Sequence, residues 1–111
     1  MAINYKVLGQ VLPSAATTWT QLYAVPTSKQ AICSTLSVAN LGTDDNLYRV
    51  RVRVAGAAAN DKQTLVFDTA SAAGISQALQ LSMTLSAGDI VEVYAAATTI
   101  AFNLFGSEID V

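Results

Sequence analysis

Apolar and polar residues alternate along most of the chain with a period of two, which is the period of a β-strand with one buried face. The cleanest case is LYRVRVRVAG (residues 47–56). Tyr48, Val50, Val52 and Val54 point one way, and Arg49, Arg51 and Arg53 the other. NYKVLGQVL (4–12) alternates and stops at Pro13-Ser14; WTQLYAV (19–25) stops at Pro26. QAICSTLSVAN (30–40) is rich in β-forming residues and runs into the turn cluster LGTDDN. KQTLVFDT (62–69) predicts a short strand. In ISQALQLSMTL (75–85), Ile75, Leu79, Leu81, Met83 and Leu85 share a face that Gln77 interrupts. The turn SAGD, the strand IVEVYAA and the strand TIAFNLFGS close the chain. About eight strands at short spacing predict an all-β fold, a single antiparallel β-sandwich of jelly-roll-like form.

One domain spans residues 1–111, with 1–14 as either an extended arm or the first strand. AGAAANDKQ (55–63) could take a helical turn, but Gly56 and Asn60-Asp61 favour a loop. The segment MAINYKVLGQ has no basic region followed by an apolar core, so no secretory signal is expected. No apolar run approaches the roughly 20 residues of a membrane span.

Composition changes the picture in one respect. Hydrophobic residues reach 52% and charged residues only 13%, against about 25% in a typical globular chain. Mean hydropathy is +0.41. So few charges suggest that part of the surface faces other protein. Coverage by the plentiful Ser, Thr, Asn and Gln is the alternative. A net charge of -2 argues against nucleic acid or an anionic membrane as partner.

The absence of histidine removes Ser-His-Asp and Cys-His catalysis and most zinc sites. Glycine-rich phosphate-binding motifs are absent too. No catalytic residue, cofactor or metal is therefore expected. The lone Cys33 lies in an apolar alternating run and reads as a buried thiol. Asp44-Asp45 read as turn caps, and Asp61 and Asp68 flank a short strand in the same role. Glu108 and Asp110 read as solvated tail residues. Asp89 and Glu92 are three apart, which on a strand places them on opposite faces and not around one scissile bond. Asp89 instead reads as the cap of the turn that Gly88 makes possible, with Val91 and Val93 in the core.

The Arg49, Arg51, Arg53 row admits three readings: a polyanion site, a solvated face with acids on neighbouring strands, or ion pairing across subunits. Trp19, Tyr23 and Tyr48 could form a sugar platform, though aromatics on strands belong more often to core or interface. Glu92 and Tyr94 lie on the face away from the core and meet either water or a neighbouring subunit. The interface candidates are thus Arg49, Arg51, Arg53, Trp19, Tyr23, Tyr48, Glu92 and Tyr94.

LYAVPTSKQAICSTLSVANLG (22–42) resembles a motif of small tailed-bacteriophage virion proteins: an aromatic strand ending at Val-Pro, a short turn, then a long strand ending at Asn. The opening NYKVLGQVLPSAATTWTQLYAVP and the closing LSAGDIVEVYAAATTIAFNLFGSEI are also similar to that group, including cyanophage structural proteins. LSAGDIVEV followed by FNLFG is similar to the C-terminal half of trimeric jelly rolls of the complement and tumour-necrosis-factor type, a likeness of architecture alone. The resemblance implies a non-enzymatic virion part located on the phage particle after assembly in the host cytoplasm. It would be a capsid decoration (cement) protein, or else a tail, baseplate or fibre component that joins tail proteins or contacts a host glycan. The implied partners are the major capsid protein or another virion protein, and further copies of the chain, with a trimer preferred.

Overall fold

The structure is a computed structural model that describes residues 2–111. Its strands are β1 (Ile3–Val11), β2 (Thr20–Ala24), β3 (Lys29–Asn40), β4 (Asn46–Arg53), β5 (Thr64–Ser71), β6 (Ser76–Leu79), β7 (Met83–Ser86), β8 (Ile90–Ala95) and β9 (Ile100–Asp110). Single 3-10 turns occupy Val54–Gly56 and Asp61–Gln63, so the alanine-rich segment is a loop with a helical turn at each end.

All pairings are antiparallel, and one set of them is nested. β1 pairs with β9, β2 with β8, β3 with β6 and β7, and β4 with β5. Further β3–β9 and β4–β8 ladders join these into a five-stranded and a four-stranded sheet. A long hairpin rolled so that its outer pairs land beside its inner ones is a jelly roll. The all-β sandwich expected from the alternation is therefore the observed architecture, with nine strands in place of eight.

The extra strand comes from a break in the run 75–85. β6 pairs with Leu36–Ala39 and β7 with Gln30–Cys33, both on β3. The skipped residues, Ser34 and Thr35, mark the point where β3 also shifts register against β9. A bulge there bends β3, and its neighbour breaks to follow it. Inward parity survives at Leu79, Met83 and Leu85, which lie opposite Leu36, Cys33 and Ala31. Ile75 lies before β6 and is exposed, so it does not share that face. Gln77 interrupts the apolar series because its Oε1 accepts a hydrogen bond from the Tyr48 hydroxyl at 3.0 Å.

Between the sheets, Leu36, Val38, Tyr48, Val50, Val91, Val93, Ile100, Phe102 and Leu104 are fully buried. Tyr48 and Phe102 meet edge-to-face with centroids 6.0 Å apart. Cys33 is also fully buried, and burial pushes its thiol up to about 11, so it packs as a small hydrophobe.

At one end of the sandwich, the turn before β8 works as a hub. Gly88 adopts φ +89°, a left-handed conformation that suits glycine. Asp89 is buried; its Oδ2 accepts from the Ser86 N–H at 2.9 Å and its Oδ1 from the Ala55 N–H at 2.8 Å. One carboxylate thus caps its own turn and pins the left-handed Ala55 of the neighbouring loop.

Candidate functional site

The outward face of the four-stranded sheet carries the arginine row and its surroundings. β4 and β8 lie side by side with Arg49 opposite Tyr94 and Arg51 opposite Glu92. Arg51 Nε donates to Glu92 Oε1 at 2.7 Å, and Arg53 Nη1 donates to Glu92 Oε2 at 3.2 Å. Arg53 also donates to the carbonyls of Ala57 and Gly56, at 2.8 and 3.0 Å. The Arg51 guanidinium lies 4.0 Å from the centroid of the Trp19 ring, and Trp19 packs on Tyr94 at 5.4 Å.

Arg49 is held by a bulge in β5. Tyr48 pairs with Thr69 and Val50 with Val66, so Phe67 and Asp68 together oppose Arg49. Asp68 takes φ +46° within that bulge. Both of its oxygens accept from Arg49, Oδ1 from Nε at 2.6 Å and Oδ2 from Nη2 at 3.3 Å. The guanidinium lies 4.4 Å from the Phe67 ring and 4.5 Å from the Tyr94 ring. Asp68 is therefore the arginine's partner, not the turn cap expected of it. The hydrogen bond from Arg49 holds its carboxyl below the usual range.

Acids on neighbouring strands do lie beside the row: the three guanidiniums face two carboxylates and three aromatic rings. The face is a lattice of Arg, acid and aromatic groups. Asp89 and Glu92 serve separate partners, the backbone N–H groups of the hub and the arginines.

Two candidate residues lie elsewhere. Tyr48 belongs to the core, and so does Tyr23. The sugar platform needed Trp19 and Tyr23 to share strand parity. A register shift between Gln21 and Tyr23 breaks it and sends both Leu22 and Tyr23 inward. Trp19 stays on the outer face under Arg51. Phe67 and Asp68 are members of the face that alternation alone did not reveal. A hint lies in Leu65-Val66-Phe67, three adjacent apolar residues that break the alternation of their strand.

A second polar cluster lies at the edge of the core. Glu108, read from the sequence as a solvated tail residue, is 4% exposed. It accepts from the Tyr23 hydroxyl at 2.6 Å and from Lys6 Nζ at 2.9 Å. Those two bonds, Tyr23's first, hold its carboxyl below the ordinary range, while burial and then Glu108 itself push the Tyr23 phenol up. Asp110 does reach the surface, where it pairs with Lys29.

Two carboxyls, Glu108 and Asp68, thus titrate lower in the folded chain than in the unfolded one. The unfolded state then binds protons first, so stability is full above the ordinary carboxyl range and lost as pH falls through the lowered values. The melting midpoint is expected to hold from about pH 7 to 5 and to fall below about pH 4. Glu108→Gln should flatten part of that acid limb, measured by circular dichroism. An acid limb identical in the variant would show that Glu108 is not linked to folding.

Among the described residues, no group of three or more His, Cys, Asp or Glu is placed to hold a metal ion, and no helix is long and apolar enough to cross a membrane. No protein-family model, curated protein or solved structure matches the chain. The class that fold and face define is an all-β jelly-roll sandwich with a preorganised arginine–aromatic surface.

Proposed function

We propose that the protein is a non-enzymatic structural part of a tailed-phage particle: a decoration protein that stabilises the shell by bridging capsid subunits, standing there as a homo-oligomer with a trimer preferred. The observation that carries this reading is the locked face of Arg49, Arg51, Trp19, Tyr94 and Phe67. Arginine and aromatic side chains are the groups most enriched at the centres of protein interfaces. Here they are held before any partner arrives, so little side-chain freedom remains to be lost on docking. The low charge content and the virion-protein resemblance of residues 22–42 support the same reading. The mechanism is mechanical. A protein that binds only the assembled shell raises the free energy needed to pull its subunits apart.

Arg51→Glu tests it. The change reverses a charge at the centre of the face and sets two acids against each other at Glu92. The variant is expected to fold but to lose its place on the particle, measured as occupancy of purified particles by quantitative mass spectrometry. Unchanged occupancy would defeat the reading. Copy number in the same measurement separates its two forms: hundreds per particle fit a shell protein, a few to a few dozen a tail, baseplate or fibre component.

A further inference from the structure

The opposite outer face, on the five-stranded sheet, differs in kind. None of the six basic and eight acidic side chains points outward from it among the described residues. Lys6, Glu108, Lys29 and Asp110 belong to strands of this sheet. They have the register of the inward-facing residues Ala31 and Cys33, and they pair with one another at the margin. What the face presents is apolar or uncharged. Ile3, Tyr5 and Val7 on β1, Ile32 on β3 and Phe105 on β9 are all exposed, Tyr5 by 85%. Tyr5 and Ile32 both lie opposite Ser107, and Val7 opposite Phe105, so the five form one patch. A depression of about 540 Å³ beside Tyr5 is lined by Lys6, Val7, Ile32, Ser34 and Phe105, with the Lys6 ammonium turned to Glu108.

We infer that this face is where the chain binds a second copy of itself. The inference rests on the homo-oligomer of the proposed reading, takes the contact as two-fold where that reading prefers a trimer, and names a surface distinct from the arginine face. Two observations choose the occupant. The first is charge. In a two-fold contact the same patch serves both copies, so a charged patch would meet its own sign. An uncharged one meets itself without that penalty. A partner rich in charge would have its groups desolvated against a surface that offers no counter-ion.

The second observation is area. Four strand widths of about 4.8 Å by 11 residues of about 3.3 Å make a face of about 700 Å². A standard-size interface buries about 800 Å² per partner. The five apolar side chains supply on the order of 500 Å² of it, taking about 200 Å² for a large side chain fully exposed. Tyr5, the most exposed of the five, is the projecting anchor and stands beside the depression.

Sedimentation velocity and equilibrium on the full chain test this, with Tyr5→Glu, Tyr5→Ser and Ile32→Lys beside Lys62→Glu. The wild-type chain is expected to associate, and each change on the five-stranded sheet to weaken association by roughly tenfold or more. Lys62→Glu, an exposed charge reversal on the loop between β4 and β5, should associate like wild type. Tyr5 and Ile32 are exposed, so the variants should keep the wild-type circular dichroism spectrum; Tyr5→Ser adds no charge and covers any that does not. A wild-type chain monomeric up to about 1 mM would overturn the inference. So would association that survives all three face changes. Particle occupancy of Arg51→Glu is a separate readout, so failure of the shell reading leaves this result standing, and the reverse.

Discussion

Gly106→Ala is expected to lower the melting temperature by on the order of 10 °C or more. Gly106 lies in β9, the strand flanked by β1 and β3, opposite Lys6 on one side and Cys33 on the other. Its requirement is for space, not for an unusual backbone angle. A methyl group there would overlap the Ile32 carbonyl oxygen and lie 3.0 Å from the Cys33 Cα. Both obstacles are backbone, so neither can rotate aside. They belong to the β3 bulge, where Cys33 and Thr35 change register against β9. Relief requires parting β9 from β3, the longest ladder in the molecule and the support of the uncharged face. Overpacking of this kind costs about 3 kcal/mol or more, near the top of the range for single substitutions. At about 4 °C per kcal/mol for a chain of this length, the shift is large. Thermal melts by circular dichroism give the answer. A midpoint within about 2 °C of wild type would mean that β3 and β9 separate far more easily than their pairing implies.

The same bulge shows what a sequence with period two reveals and what it hides. Alternation marked every long strand, and the inward Val91 and Val93 followed from parity, whereas Tyr48, an interface candidate on the same pattern, is buried and Val54 of its row is exposed. Parity fails wherever one residue is inserted. The shifts at Gln21/Tyr23, Cys33/Thr35 and in β5 turned Tyr23 inward, bent β3 and set Phe67 beside Asp68. A bulge is decided by the strand across the ladder, so no local pattern announces it. Long-range pairing hid the polar core residues in the same way. Glu108 meets Tyr23 and Lys6 across 85 and 102 residues, and Gln77 meets Tyr48 across 29. Nearness to the chain end was the available signal for Glu108, and it pointed to solvent. Alternation also cannot say which of two faces is covered. Ile3, Tyr5 and Val7 have the spacing of core residues but point outward.

Glu92→Ala carries the second large effect, about 2–3 kcal/mol of destabilisation. Glu92 is the one carboxylate shared by Arg51 and Arg53, with its own side chain 11% exposed and Arg51's 14%. Removing an acid from a fully buried pair costs about 3–5 kcal/mol, because the remaining charge stays buried without a partner. The figure here is lower because Arg53 is more open and keeps the carbonyls of Gly56 and Ala57. Arg51 has no such fallback: beyond Glu92 it rests on the Trp19 ring alone. Arg53→Ala should therefore cost well under half as much, since Glu92 keeps Arg51. Urea unfolding of both variants measures the difference. Equal losses would mean that the lattice is not organised around Glu92, and the arginine face would then gain its order only on meeting a partner. A large loss confined to Glu92→Ala would instead place that order in the free chain, where one acid holds two arginines in position for whatever the face binds.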